Sequence, residues 1–356
     1  MGGPDADENA GAAVVSDLHV ALPAFPVQVQ LVGVDVNVKT REVWTISRGS
    51  RVWQGSTFDG QGVLADQSPI PEPVIVGVDL DKLERTVTTG AAKFYLPHAV
   101  RVDPTDSNLL WVVDVGAHAV FKYDVRKNVV VQTAGVLHAP GSDSAHFCKP
   151  TDVAFSKDGT RAFVTDGYCN SRVVELAVSD MSFVRQYERK QWLDVPHAIA
   201  RVECDGSEYM LVADREGGRV AVLDIAKKSF LPQPAWPPNG VSEGVWMPYS
   251  LAVVQNRRLV LGLTKRHGAD RNGMVWVGNQ AVCDLVTSIA AKKDASKLRS
   301  ASWESQGAFV DNSALREPHS MSADTAFEQG GGASVLIAQA VDGGKEGGCV
   351  ASVTVN

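Results

Sequence analysis

Three of the eight histidines in this 356-residue chain follow a proline in the same local setting: Pro97-His98, Pro196-His197 and Pro318-His319. Neutral imidazole nitrogens are borderline-soft ligands. Three of them with a fourth position left open describe a catalytic zinc site rather than a closed structural one. The plainer reading makes Pro-His a framework choice, with the imidazole bonded to a neighbouring strand. Thr151 and Tyr249 stand at the equivalent place in two further copies of the surrounding pattern, so the framework does not require histidine there. His19, His118, His138, His146 and His267 have other contexts and read as ordinary surface or loop residues.

A second group lies beside these. The segment from Asp166 to Arg172 (DGYCNSR) occupies the turn that holds Asp214 to Arg219 (DREGGR) in the next copy and Ser47 to Arg51 (SRGSR) in a degenerate one. Equivalence puts Tyr168, Arg215 and Arg48 near one rim. A tyrosine ordinarily titrates near pH 10, so it serves as a base at neutrality only beside cations. Arginine is also the natural clamp for a substrate carboxylate, through its planar fork. Arg172 and Arg219 read as structural, because Arg-Val recurs. Cys148 and Cys169 stand in register with the repeat: a bridge would pin the loop bearing Tyr168, and two free thiols are the alternative in a reducing compartment. Cys204, Cys283 and Cys349 show neither pairing logic nor CxxC spacing.

The elements that position these residues come from a repeat. LPHAVRVDPTDSNLLWVVDVGAHAVFKYD from Leu96, KPTDVAFSKDGTRAFVTDGYCNSRVVEL from Lys149 and VPHAIARVECDGSEYMLVADREGGRVAVLD from Val195 share a proline, an alternating apolar strand, a polar turn, a second strand, an Asp-containing turn and a third strand. Weaker copies begin at Met247 and Glu317, and a degenerate one, LVGVDVNVKTREVWTISRGSRVW, lies near the N-terminus. Period-two alternation with β-branched enrichment is a strand signature. A unit of roughly 40–55 residues with about four strands matches a propeller blade. The expectation is an all-β, six-bladed β-propeller over residues 17–356, preceded by a flexible segment, 1–16. The SDLHV run ending at Val20 is expected to close the ring against the last blade. An Ala, Lys and Ser-rich stretch at about 286–315 reads as an insertion, with Lys292, Lys293 and Lys297 on a solvated face.

Composition narrows the partners. With 34 basic and 41 acidic residues the net charge is −7, which argues against nucleic acid or an anionic membrane reached through bulk electrostatics. Met1 to Ala10 has no basic-then-apolar leader pattern, and no apolar run reaches the roughly 18–20 residues of a spanning helix.

The stretch from His146 to Leu176 resembles the lyase catalytic core of peptidylglycine α-amidating monooxygenase, the peptidyl-α-hydroxyglycine α-amidating lyase family. SRGSRVWQGSTFD from Ser47, FYLPHAV from Phe94, APGSDSAHFC from Ala139, VPHAIA from Val195 and VADREGGRV from Val212 agree in the same order. The likeness runs from about Asp17 to Asp224. It implies a six-bladed propeller that converts a peptide ending in α-hydroxyglycine to an amidated peptide and glyoxylate, and that lives in the secretory lumen or outside the cell. It further implies zinc on His98, His197 and His319, Tyr168 as general base, Arg48 and Arg215 as active-site arginines, and a Cys148–Cys169 disulfide. A separate hydroxylating monooxygenase would supply the substrate.

The chain also departs from that pattern. Glu317-Pro-His-Ser320 stands where the family has Met-Pro-His-Asp. Ser320 thus replaces an aspartate of the family's structural calcium (Ca2+) site, and Glu317 puts a charge in an apolar place. Leu211 and Val222 stand at the family's second disulfide. The rival expectation is a non-catalytic NHL-repeat propeller that serves as a peptide- or protein-binding platform.

Overall fold

The computed structural model describes residues 18–20, 30–82, 84–188, 193–232, 246–254, 258–265, 274–281, 283, 286–287, 307–310, 317–324, 333–340 and 350–355. The expected segment 1–16, most of the 286–315 stretch with its three lysines, Cys349 and His267 lie outside the described residues. The named elements are all strands. After β1 (Leu18–Val20) come four strands of a first sheet, β2–β5 (Leu31–Asn37, Glu42–Ser47, Ile75–Asp79, Glu84–Thr89), and four of a second, β6–β9 (Pro97–Val102, Leu109–Asp114, Ala119–Asp124, Val129–Ala134). The third sheet is β10–β13 (Asp152–Phe155, Arg161–Asp166, Arg172–Ala177, Phe183–Glu188) and the fourth β14–β17 (Pro196–Cys204, Ser207–Asp214, Arg219–Asp224, Ser229–Phe230). The fifth is β18–β21 (Trp246–Val253, Arg258–Lys265, Met274–Ala281, Gly307–Val310), and β22–β24 (Glu317–Asp324, Ala333–Ala340, Val350–Val355) form the sixth. Every sheet is an antiparallel meander of four strands, and the architecture is all-β and propeller-like.

β1 is the fourth strand of the sixth sheet, paired with β24 from Leu18↔Ser352 to Val20↔Val350, as the SDLHV run predicts. The leading strands touch in succession, β2 to β6, β10, β14, β18 and β22, and β22 returns to β2. Gly307–Val310 falls inside the stretch read as an insertion, yet it forms β21 and closes the fifth sheet against β20.

The period-two pattern is explained by where the core lies. One cluster joins Val32, Trp44, Ile46 and Ile75 of the first sheet to Val100, Val112 and Phe121 of the second; others join second to third, third to fourth and fourth to fifth. The second, third and fourth sheets therefore bury both faces against their neighbours. Covering a Val or Leu in this way contributes roughly 1.5–3 kcal/mol.

Two disulfides are present: Cys148–Cys169, as the resemblance implies, and Cys204–Cys283. The second corrects the expectation that Cys204 and Cys283 lack partners. It joins the end of β14 to the segment after β20 across 79 residues, a separation that local spacing does not reveal.

Candidate active site

A repeated irregularity sets the site. In the second sheet Pro97 pairs with Asp114 and Ala99 with Val113, so His98 is an extra residue without a partner in the ladder. The same skip falls at Val32, His197, Tyr249 and His319. A bulge at this position re-aims its side chain and stops the ladder locally. Thr151 holds the equivalent place ahead of β10.

These positions are linked from sheet to sheet. Arg48 Nε donates to Pro97 O at 3.3 Å, His98 Nδ1 to Thr151 O at 2.7 Å, Thr151 Oγ1 to Pro196 O at 2.8 Å, and His197 Nδ1 to Tyr249 O at 2.7 Å. Backbone carbonyls only accept, so both Nδ1 atoms carry hydrogen, and in the neutral rings Nε2 is the acceptor. Both Nε2 atoms meet one oxygen, the Tyr168 hydroxyl, at 3.2 Å from His98 and 3.1 Å from His197. The imidazoles are buried, with ring centres 4.7 Å apart.

Tyr168 belongs to the turn between β11 and β12. The disulfide places Cys148 and Cys169 with Cα atoms 5.4 Å apart, and Cys148 N donates to Asp166 Oδ1 at 2.8 Å. Gly167 lets the turn come close to the next sheet: a Cβ there would lie 2.1 Å from Pro196 O. Arg215 Nη1 donates to the Tyr168 hydroxyl at 3.2 Å, and its guanidinium sits 5.1 Å from the ring centres of both Tyr168 and Tyr249. Burial opposes the charge of Arg215. Its interactions with Tyr168, Tyr249 and Glu216 outweigh that cost and hold its pKa above the ordinary arginine value.

Arg48, also buried, donates through Nη1 to Gln30 Oε1 at 2.9 Å and lies 5.1 Å from the ring centre of Trp53. Trp53 in turn stands 5.3 Å from Tyr168 and 5.2 Å from Phe58. Trp53 and Phe58 come from the long β3–β4 connection and were not singled out from the sequence as site residues. Their only sequence signal is the aromatic content of SRGSRVWQGSTFD. His118 is fully buried rather than superficial. It accepts from Lys149 N at 3.1 Å and donates from Nε2 to Gly62 O at 3.1 Å, tying that connection to the third sheet. Burial, then the Lys149 charge, pulls its pKa down to about 4. Arg172 pairs with Asp166 at 2.9 Å, and Arg219 lies 3.3 Å from Asp214, both in the structural role expected.

The donor chemistry fits zinc. Two imidazoles held by Nδ1–H bonds to carbonyls, each turning Nε2 toward a common oxygen, have the outer hydrogen bonds that orient metal-ligating histidines. His319 holds the same bulge position in β22, and its side chain lies outside the described residues. Among the described residues no group of three or more His, Cys, Asp or Glu side chains is gathered for a metal.

No protein-family model matches the chain. It is 38% identical over 213 residues to the peptidyl-glycine alpha-amidating monooxygenase of Mus musculus, which covers 57% of this chain and 21% of that protein. A probable peptidyl-alpha-hydroxyglycine alpha-amidating lyase of Caenorhabditis elegans is 34% identical over 197 residues, 54% of each chain. Peptidyl-alpha-hydroxyglycine alpha-amidating lyase 2 of Drosophila melanogaster is 33% identical over 177 residues, 49% of this chain and 42% of that one. The chain thus spans from a fifth to about half the length of these relatives. In structure it resembles a Bacteroides thetaiotaomicron protein of unknown function, with a TM-score of 0.56 at 12% identity over 98% of this chain and 74% of the other, a likeness of fold alone. Over about half its length, the chain is a relative of the peptidyl-α-hydroxyglycine α-amidating lyases.

Proposed function

We propose that the chain is a zinc-dependent lyase that splits a peptide ending in α-hydroxyglycine into the peptide amide and glyoxylate, its six sheets being the blades of one closed propeller. The observation that carries this reading is the Tyr168 hydroxyl, held within 3.2 Å of His98 Nε2, His197 Nε2 and Arg215 Nη1.

The substrate is a carbinolamide, R-CO-NH-CH(OH)-COO⁻. Tyr168 reacts as the phenolate beside Arg215, and its Oη takes the hydroxyl proton as general base. The O–H electron pair becomes the C=O bond of glyoxylate, the C–N bond breaks, and the proton passes to the departing amide nitrogen. Arg215 donates to the oxygen that carries the negative charge during this transfer. Arg48 and Arg215 offer planar forks for the carboxylate. His98, His197 and His319 would hold zinc, which when bound supplies Lewis-acid polarisation of a substrate oxygen. The hydroxylated substrate comes from a separate peptidylglycine hydroxylating monooxygenase. The two disulfides accord with an oxidising compartment.

The test is glyoxylate release from a model peptide ending in α-hydroxyglycine, with zinc measured in the same preparation. Turnover with about one zinc per chain is expected. Protein that holds no zinc and releases no glyoxylate would be the non-catalytic platform instead.

A further inference from the structure

The inner strands carry a second polar centre, independent of the lyase reading. Three residues beyond His98 on β6, about 10 Å at the rise of a strand, Arg101 extends its guanidinium across neighbouring sheets. Nη1 donates to Val34 O of β2 at 2.8 Å and lies 3.4 Å from Val100 O; Nη2 donates to Asp152 Oδ2 of β10 at 2.8 Å. Asp152 also accepts from Val153 N at 2.8 Å and from Ile199 N of β14 at 3.2 Å. Asp35 of β2 adds its charge and accepts from Val102 N at 2.8 Å. One cation thus collects oxygens from three inner strands, and its carboxylate partner continues the chain of bonds to a fourth. The Arg101 and Asp152 side chains are only 11% and 5% exposed.

Carbonyl oxygens with carboxylates are the donor set of a hard cation, and Ser320 stands where the resembling family has an aspartate of its calcium site, a loss that already counts against calcium in this chain. Ser320 follows the bulge of β22 as Gly33 and Ala99 follow those of β2 and β6. These last two strands abut at this height: a Cβ on Gly33 would lie 2.9 Å from Val100 N and 3.2 Å from Ala99 C. The residues present do not fit calcium here. A guanidinium already holds the oxygens, and a divalent ion beside it would be repelled.

We propose that Arg101 is the resident cation of the inner ring, joining β2, β6, β10 and β14 by a charge built into the chain, so that the fold requires no calcium. The test is thermal unfolding of the full chain in calcium-free buffer and in millimolar calcium. The wild-type midpoint is expected to be the same in both. Arg101→Ser leaves the Asp152 carboxylate buried without its partner, so its midpoint should fall by roughly 5–10 °C and rise again as calcium is added. Folding of that variant only in calcium would be the same result. If it folds in neither buffer, Arg101→Gln, which keeps a donor amide in the space, is titrated instead. Arg101→Lys retains the charge and should ignore calcium. A wild-type midpoint that rises with calcium, or a folded Ser or Gln variant indifferent to it, would overturn the proposal.

Discussion

The turns that follow the second strand in the third and fourth sheets begin at the same buried aspartate and end at the same arginine, yet they deliver different groups. Asp166 pairs with Arg172 at 2.9 Å; Asp214 and Arg219 lie 3.3 Å apart. The third-sheet turn is one residue longer, is tied by Cys169 to Cys148, and carries Tyr168. In it, Asn170 Nδ2 adds bonds to Asp166 Oδ2 at 2.7 Å and Gly141 O at 2.8 Å. The fourth-sheet turn puts Arg215 directly after the aspartate and closes through Gly217, where a Cβ would meet Asp214 Oδ2 at 1.9 Å. A framework pair is repeated while the loop it anchors is varied, so one sheet brings the Tyr168 hydroxyl and the next brings the arginine that donates to it. This is the usual division between rigid scaffold and functional loop.

The sharpest break in that comparison is Tyr168→Phe. It removes the hydroxyl and leaves the ring against Trp53, so glyoxylate release should drop by about 10³-fold while zinc content holds. Near-normal turnover would take Tyr168 out of the chemistry. Next come the two framework aspartates. Asp166→Asn strips the charge partner from a fully buried arginine and should cost about 3 kcal/mol in denaturant unfolding. Asp214→Asn faces the partly exposed Arg219 and should cost about 1 kcal/mol; a reversed order would mean that the loop additions, not the ion pair, hold the third-sheet turn. The last effect is in pH. Burial raises the Asp214 pKa from an ordinary aspartate value to about 6, so the folded chain keeps a proton that the unfolded chain has released. This group's contribution is complete below about pH 4 and is lost as pH rises through about 6. The stability difference between wild type and Asp214→Asn should therefore shrink from the wild-type side across that window, and a pH-independent difference would contradict the assignment.

Much of this was legible in the sequence, because blades are local. The alternation in Arg161–Thr165 and Val173–Leu176 reports strands directly, and the Pro-His spacing marks equivalent positions on the leading strands, though not that they are bulged. The SDLHV run could be matched to the last sheet because a blade missing its fourth strand leaves an edge to be covered. What stayed hidden depends on distance or on the polarity of the inner ring. Cys204 and Cys283 meet only because adjacent sheets do. Gly307–Val310 is too short for periodicity to separate it from the surrounding Ser-rich stretch. Trp53 and Phe58 reach Tyr168 from two sheets away through a connection with no repeat counterpart. Arg101 looks like the outward polar residue of an alternating strand, and nothing local shows that its side faces other strands rather than solvent.

The extra residue in the leading strand has one more consequence. Because it leaves the ladder, its side chain is released from the pairing that constrains the rest of the sheet, and the hydrogen bonds that cross to the next sheet there use mainly backbone carbonyls. Five of the six leading strands have such a position, filled here by valine, histidine, histidine, tyrosine and histidine, while Thr151 holds the equivalent place ahead of β10. A change at such a position alters the side chain without asking any strand to repair its register. Such a fold can gain, lose or trade a ligand one position at a time.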